Sequence, residues 1–536
     1  MFLCFVILLL GVCAFGSGCE EAEAQRPPAD DGAPVLTSEI LDYFGQIAAF
    51  PRSGPSYPND LGAYLLEQAE AIGVDAKKDK AGNVTMRIPA TDGKENVQPI
   101  ALLTYTGADI VSDPFKAFDP YKDGVELAPQ GNKVHSDGTS MGADGALGAA
   151  TMLAVMKAAV GMPHGEITAI FAAGTGDVSS ADATAPAAAE SAAATEPTAA
   201  TETAIAATAA KPPYKIPEGA LLINIGGTDT GRIVDESPVA ALINATTTAS
   251  AVETGAGRAY VIGASGFPAG VAATKPEDGY ISPIAVISKI LSEARNAGCV
   301  YKLCSFSGGD DACTYPTSAQ ATVILGDYEE RQFKRVVASA VDEAMATLGG
   351  DESGADISMI ETERPAYAIG EESVSKALTY LYGMMNLNIA GSGGEAAMNV
   401  GKLRFDATGF DCSIAVTGMY SKADTVAKIV SDQVAIEYLS GIPSQQFGEI
   451  AGFSNFGTED VDRLSERFSA AYAKAFGSKP RSEASLELSP LGKLAEGRAV
   501  KSIGITVYDR GTPNEYFEAA DAAVPANAIL RYIEGE

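Results

Sequence analysis

Two aspartates, Asp109 and Asp144, are the residues of this chain best suited to hold a hard cation. Asp109 lies just past an apolar run at residues 99–104, and Asp144 lies in a turn before an alanine-rich run. In open α/β sheets, binding sites form beyond the carboxyl ends of the strands, which is where we expect both residues. Carboxylate oxygens suit Mg²⁺ or Ca²⁺, whereas aspartates in turns commonly accept hydrogen bonds from backbone amides. Both interpretations stay open.

The chain has only two histidines, and neither is well placed to complete a metal site. His164 precedes a strand-like run, so we expect it at the end of that strand opposite the site. His135 precedes Asp144 by a turn-like segment and could reach the site, although a lone histidine is more often structural. The glycine-rich turns lack the spacing of phosphate-binding loops, and no nucleophile elbow occurs with a triad histidine.

Strand-like and helix-like runs alternate around these residues. Short apolar runs at residues 99–104, 167–172 and 221–225 have the length and composition of buried strands. An alanine-rich run at residues 145–159 lies between the first two and predicts a helix. Because strand, helix, strand is the repeating unit of α/β domains, the sequence predicts the α/β fold class.

The rest of the chain divides by composition. Residues 178–213 consist mainly of Ala, Thr, Glu, Ser and Pro, which bury too little apolar surface to offset chain entropy, and they predict a disordered insert. Residues 238–384 have the alternation of an α+β lid domain, with an end that the pattern leaves open. The predicted order is a leader at 1–24, a tether at 25–35, a first domain part at 36–177, the insert at 178–213, a strand segment at 214–237, the lid at 238–384, and the remaining lid strands with the second domain part at 385–536.

The segments around the aspartates resemble the zinc-dependent dipeptidases, a family that includes aminoacyl-histidine dipeptidase. Those enzymes carry a His-x-Asp after one strand, a Gly-Ala-Asp-Asn turn, and a Glu-Glu pair after the next strand. Here the matching segments are LTYTGADIV, MGADG and FAAGTGD, which retain Asp109 and Asp144. The resemblance places the first histidine at Gly107 and the paired glutamates at Gly174 and Thr175. It implies a mixed-sheet, zinc-peptidase-like catalytic domain with an inserted α+β lid.

Other positions implied by the resemblance have also lost the expected side chain. It places a further aspartate at Gly226, a late histidine at Gly511, a lid histidine at Pro268 and a substrate-binding asparagine at Cys313. A two-metal hydrolase needs several ligands, an activated water and a general base. The resemblance puts that base at Gly174, so no catalytic residue is assigned, and Asp109 and Asp144 remain as residual metal ligands.

The N-terminus has the composition of an export signal. An apolar run precedes small residues in MFLCFVILLLGVCAFGSGC, and it is too short and too rich in Gly and Cys for a membrane-spanning helix. GSGC resembles a bacterial lipoprotein cleavage box with Cys19 as the lipidated residue, whereas AEA at 22–24 offers ordinary cleavage. We expect an exported protein of the bacterial cell envelope, periplasmic or at the cell surface, that contacts the membrane through a lipid anchor alone.

The overall charge excludes one class of partner. The formal net charge is −31 at pH 7, whereas nucleic-acid binding needs a basic surface. We therefore expect no nucleic-acid partner. An acidic surface of this kind favours solubility and carries no information on the fold.

Four cysteines remain beyond the leader, namely Cys299, Cys304, Cys313 and Cys412. Export permits disulfides between them, in several pairings. Cys304 and Cys313 flank a glycine-containing link between two strand-like runs, which makes them the predicted pair. The alternative is that all four are buried thiols, as free cysteines commonly are.

Three functions remain open. The leading interpretation is a catalytically inactive protein of the dipeptidase family that needs no cofactor and binds an unidentified peptide or protein. The second is a divergent metal-dependent dipeptidase of Xaa-His type, which would hold zinc or another divalent cation through Asp109, Asp144 and recruited carboxylates such as Asp177. The third is a structural surface lipoprotein. Because lids of this family make dimer contacts, the resemblance also implies a homodimer through the lid.

Overall fold

The computed structural model describes residues 36–54, 56–113, 116–174, 215–267, 281–348, 354–386, 396–455, 459–485, 488–489, 491–495 and 498–535. The predicted leader, tether and insert lie outside the described residues, as do Cys19, Thr175, Asp177 and Pro268. Within these ranges, no helix has both the length and the apolar character needed to cross a membrane.

Helices and strands alternate along the described chain. The α-helices are α1 (Thr37–Ala48), α2 (Tyr57–Ile72), α3 (Ala143–Ala159), α4 (Pro283–Asn296), α5 (Asp327–Leu348), α6 (Glu371–Asn386), α7 (Ala423–Ser440), α8 (Glu459–Phe476), α9 (Gly492–Ala495) and α10 (Val524–Glu534). The β-strands are β1 (Asp75–Lys78), β2 (Val84–Ile88), β3 (Ile100–Tyr105), β4 (Lys133–His135), β5 (Ile167–Ala172), β6 (Leu221–Ile225), β7 (Arg232–Thr248), β8 (Ala251–Glu253), β9 (Arg258–Ser265), β10 (Tyr301–Gly308), β11 (Ala319–Leu325), β12 (Asp356–Thr362), β13 (Tyr367–Ile369), β14 (Ala396–Asp406), β15 (Gly409–Met419), β16 (Ser444–Ile450), β17 (Phe453–Ser454), β18 (Arg481–Ala484), β19 (Val500–Ile503), β20 (Val507–Tyr508) and β21 (Tyr516–Glu518).

The first domain is a mixed sheet whose central strands are parallel. Its order is β1–β2–β5–β3–β6–β19–β7, and β3 pairs in parallel with both β5 and β6. Strands β3 and β5 are almost entirely buried apolar runs, as expected of strands covered on both faces. Helix α3 is buried around most of its circumference and packs between α1 and α10. The predicted α/β class is confirmed.

A second sheet forms the lid. Strands β15, β14, β10, β11, β9 and β12 pair in that order, and every pair is antiparallel. Helix α4 packs on β9 and β11, and α7 packs on β15. The buried side chains of this layer extend from Ala241 to Ile442. Residue 384, the end that the sequence pattern left open, lies inside α6, and β14, β15 and α7 beyond it contribute buried side chains to the same core.

Strand β7 belongs to both sheets. Its first residues pair with β17, β18 and β19 in the first domain. Its residues from Pro238 to Thr248 pair with β15, and part of this stretch also pairs with β16. The two cores are therefore joined through one continuous strand of 17 residues.

The four described cysteines are buried thiols. Cys304 packs with Ala259, Ile324 and Ala368, whereas Cys313 belongs to a different cluster, around Leu242 and Ala415. The predicted disulfide between Cys304 and Cys313 is not formed, because the two side chains enter separate apolar clusters. Burial raises the pKa of the Cys304 thiol to about 11, which keeps it protonated at neutral pH.

Candidate functional site

The loops that follow β3, β5 and β6 meet at one edge of the first sheet. Tyr105 lies opposite Ala172, and Leu103 lies opposite Asn224, so the three parallel strands end at nearly the same level. Positions 107, 174 and 226 follow directly in the three chain segments. The structure thus places these positions beyond the carboxyl ends of the strands, where α/β folds form their sites.

Gly107 lies against the backbone of Gly174. The Gly107 amide donates a hydrogen bond of 2.6 Å to the Gly174 carbonyl, and the Gly174 amide donates to the hydroxyl of Tyr57. A Cβ atom at position 107 would lie 2.6 Å from the Gly174 carbonyl carbon and 2.7 Å from the Tyr57 hydroxyl. Both distances are well inside van der Waals contact. A side chain at position 107 therefore fits only if these neighbours move.

Three further positions have backbone conformations that favour glycine. The φ angle is +124° at Gly174, +130° at Gly226 and +70° at Gly511. Residues with a Cβ rarely adopt such angles, whereas glycine does so freely. The glycines at the positions that the resemblance gives to the base, a further aspartate and the late histidine are therefore matched to the local backbone.

Asp109 and Asp144 have different surroundings. Asp109 is exposed and makes no hydrogen bond or ion pair within the described part of the chain. Asp144 lies in the first turn of α3, where the helix dipole favours a carboxylate, and it accepts a hydrogen bond of 3.3 Å from the Gly227 amide. Of the two aspartates, only Asp144 accepts a hydrogen bond from a backbone amide in a turn, which is one of the two interpretations that the sequence left open.

The guanidinium of Arg510 forms an ion pair with the carboxylate of Asp144. Arg510 Nε lies 2.9 Å from Asp144 Oδ2, and Arg510 Nη2 donates to Asp144 Oδ1 at 3.3 Å. Each oxygen thus has its own N–H partner, the bidentate geometry that guanidinium and carboxylate groups favour. Burial raises the pKa of the Asp144 carboxyl, and the charge of Arg510 opposes that shift.

A buried arginine and a buried glutamate hold the turn that precedes α3. Arg52 donates to the carbonyls of Met141 and Gly142, and Glu515 Oε1 accepts from the amides of Met141 and Ala143 at 3.2 and 2.8 Å. Both side chains are 1% exposed. Burial lowers the pKa of Arg52 to about 10 and raises that of Glu515, although each charge partly offsets the shift of the other. The turn is therefore fixed from both sides by opposite charges.

The space behind Asp144 is small. A cavity of about 10 Å³ is lined by Asp144, Gly148, Thr151 and neighbouring residues. The Thr151 hydroxyl is buried and has no hydrogen-bond partner among the described residues. A cavity of this size holds about one water molecule.

The described residues do not fit a pair of zinc ions. Zinc sites use several nitrogen, sulfur or oxygen ligands around an open position, and the described ranges contain no group of three or more His, Cys, Asp and Glu side chains that could hold a metal. The carboxylate that a metal would need at Asp144 is held by Arg510. The space for a ligand at position 107 is filled by Gly174 and Tyr57.

The two histidines serve other roles. His164 is 2% exposed, and its Nδ1 lies 2.6 Å from the Gly165 carbonyl at the start of β5. His135 ends β4, pairs with Tyr516 of β21, and has its Nδ1 2.9 Å from the Ser136 carbonyl. Each ring thus has a local backbone partner.

Four residues of the site were not predicted from the sequence, namely Arg52, Tyr57, Arg510 and Glu515. A signal existed for Arg510, because it directly precedes Gly511, the position that the resemblance gives to the late histidine. A cation beside the position that the resemblance gives to a metal-binding histidine is a candidate counter-charge for Asp144. No comparable signal marks Tyr57, which contacts Gly174 from the first turn of α2, a helix that packs on β1 and β2.

Comparisons with known proteins agree with this fold. No protein-family model matches the chain. A cytosol non-specific dipeptidase from Escherichia coli (strain K12) is 32% identical over 118 residues, which span 22% of this chain and 24% of that dipeptidase. The crystal structure of aminoacylhistidine dipeptidase from Vibrio alginolyticus superposes with a TM-score of 0.63 at 17% identity, covering 94% of this chain and 97% of that chain. The chain therefore has the fold of a dipeptidase, and about a quarter of a dipeptidase sequence is similar to it.

Proposed function

We propose that this chain is an exported, catalytically inactive protein of the dipeptidase fold that binds a peptide or protein ligand at the cell envelope. The observation that carries the proposal is the closure at Gly107. There, the backbone of Gly174 and the hydroxyl of Tyr57 lie within 2.7 Å of where a ligand's Cβ would be. A first-strand metal ligand cannot be accommodated in this arrangement.

The chemistry lost with these side chains is large. A positioned general base contributes about 10²–10⁴-fold to rate, and glycine at position 174 offers no group to act as one. A metal ion would supply the activated water as well. Hydrolysis by the mechanism of the dipeptidase family is therefore expected to be negligible.

The test combines metal content, hydrolysis and ligand binding. We would measure bound zinc in the purified protein, its hydrolysis of Xaa-His dipeptides, and its melting temperature with dipeptides, longer peptides and peptidoglycan fragments. A ligand that binds only the folded state raises the melting temperature by mass action. We expect no hydrolysis of Xaa-His dipeptides, and we expect the melting temperature to rise with at least one class of ligand. The Escherichia coli dipeptidase serves as the positive control for turnover.

The local similarity to a dipeptidase supports a second candidate, a divergent metal-dependent dipeptidase. That protein would bind a divalent cation in stoichiometric amount through Asp109 and Asp144. Asp144→Ala would abolish its turnover, and the exposed Asp42→Ala on α1 would not. Stoichiometric zinc together with Asp144-dependent Xaa-His hydrolysis would establish this candidate and overturn the inactive one.

The remaining expectations concern location and assembly. We propose that Cys19 carries the lipid anchor and that the lid mediates a homodimer. Cys19→Ala should then release the protein from the membrane fraction, and sedimentation of the purified protein should give twice the chain mass. A melting temperature that stays flat across all ligands would instead favour a structural surface lipoprotein.

A further inference from the structure

Arg510 holds together parts of the chain that are distant in sequence. Its guanidinium forms an ion pair with Asp144 at the start of α3. Asp144 also accepts a hydrogen bond from the amide of Gly227, in the turn after β6. Arg510 itself lies in the loop between β20 and β21. Three segments therefore meet at one carboxylate.

We propose that the guanidinium of Arg510 is a built-in cation that replaces a bound metal ion as the counter-charge and cross-link at Asp144. The inference deepens the proposed loss of catalysis at this site and does not depend on any peptide ligand. A metal ion joins chain segments by binding ligands from each. Arg510 does the same through covalent attachment to one segment and paired N–H···O contacts to another.

The loop that carries Arg510 is built to hold it in place. Asp509 has a φ of +48°, the only positive value at a non-glycine residue in the described chain, and Gly511 has +70°. The Gly511 amide donates to Glu515 Oε2 at 2.9 Å, and the Thr512 amide donates to the Asp509 carbonyl at 3.1 Å. Strained backbone of this kind persists where the surroundings enforce it. Both neighbours of Arg510 are thus fixed.

The charges around Asp144 require such a cation. Asp229 and Glu515 both act on this region as negative charges, since Asp229 raises the pKa of Asp144 and Asp144 raises that of Glu515. Arg52 is turned toward the carbonyls of Met141 and Gly142. Among the described residues, Arg510 is the cation that contacts the Asp144 carboxylate. Its removal would leave a partly buried carboxylate without a counter-charge.

The full-length mature protein and four variants test the inference through melting temperatures. Each is measured with EDTA and with added Mg²⁺, Ca²⁺ or Zn²⁺. Arg510→Met keeps the length of the side chain and removes its charge, Asp144→Asn removes the opposing charge, and the double variant removes both. Arg404→Met is the matched control, because Arg404 pairs with Asp406 at 3.2 Å on the exposed surface of the lid.

We expect the wild-type melting temperature to be unchanged by EDTA. Arg510→Met should melt several degrees lower, and a divalent cation should restore at least half of that loss. The double variant should melt above Arg510→Met and should not respond to cations. Arg404→Met should show neither the loss nor the rescue.

Three outcomes would overturn the inference. One is a wild-type protein that EDTA destabilises, a result that needs no variant and would also count against the inactive site. The second is an Arg510→Met protein as stable as the wild type. The third is an Arg510→Met protein whose melting temperature rises with added cation no more than that of Arg404→Met. If the protein binds no peptide, that result contradicts only the proposed binding function. It does not affect the inference about Arg510.

Discussion

At position 107 the backbone of Gly174 and the hydroxyl of Tyr57 occupy the space that a side chain would take. At position 144 the acid is retained, but its partner is a guanidinium. Position 107 is a glycine in close contact with its neighbours, and position 144 is an aspartate whose counter-charge is a guanidinium. At both positions, groups of the chain itself occupy the space or hold the charge.

Gly107→Ala tests this closure at the scale of one methyl group. The added Cβ would lie 2.6 Å from the Gly174 carbonyl carbon, so we expect a loss of about 1–3 kcal/mol in the free energy of unfolding, as for other overpacked positions. Urea denaturation measures the change. Gly263→Ala on β9 is the control, because its Cβ would have 3.8 Å to the nearest atom, Ser358 Oγ. Equal effects of the two substitutions would contradict the closure.

The sequence was sufficient to locate Asp109, Asp144 and the glycine positions, because residues that follow buried strands meet at one sheet edge. It was insufficient for the contacts of Asp144. The pairing with Arg510 depends on the left-handed turn at Asp509 and on Glu515, which lies under the start of α3. Such contacts arise from tertiary packing and leave no periodic signal in the sequence.

Among the elements, β7, β19 and α8 are connected by a buried ion pair. Lys501 on β19 contacts Asp235 on β7 and donates to Ser465 on α8, with side-chain exposures of 0% for Lys501 and 6% for Asp235. Asn455 donates to the same carboxylate at 3.2 Å. Burial lowers the pKa of Lys501, and the charge of Asp235 opposes that shift. The pair fixes the register of three elements beside the point where β7 enters the lid.

Lys501→Met should destabilise the protein strongly. Removing one partner of a buried pair leaves the other charge without compensation, which costs about 3–5 kcal/mol. The midpoint of urea unfolding measures this loss. Lys428→Met provides the control, since Lys428 and Asp432 form an exposed pair on α7 with exposures of 71% and 45%. We expect less than about 1 kcal/mol there, and a similar loss in both variants would show that burial of the Lys501 pair is unimportant.

At the level of the elements, apolar runs predicted the central strands well, because burial on both faces produces continuous hydrophobic segments. The start of α3 was placed at residue 145, whereas the helix begins at Ala143 after Gly142, which has a φ of +55°. The end of the lid was left open at residue 384, and the structure shows that α6 and α7, which lie on either side of β14 and β15 in the chain, share one core. Which helices share a core is a property of packing, and local sequence patterns do not reveal it.

For the whole molecule, the formal net charge of −31 sets the long-range electrostatics. Like charges repel one another more strongly in the compact state than in the unfolded chain, and salt screens that repulsion. We expect the melting temperature to rise as NaCl increases from about 10 to 150 mM, over which the screening length shortens severalfold. Equal ionic strength from KCl should give the same rise. A fall in both salts would mean that attractive ion pairs outweigh the net repulsion.

The strand β7 makes the lid and the first domain mechanically continuous. It passes from one sheet to the other at Ser237 and Pro238, where β17 and β15 take over as its partners. Proline has no amide proton, so the ladder lacks one donor at this point and is locally weaker. Force applied between the two cores would run along the covalent backbone of β7 and load its paired strands in shear. Within β7 the chain therefore passes from one core to the other in a paired strand, and it returns through the short link at residues 451–452 between β16 and β17.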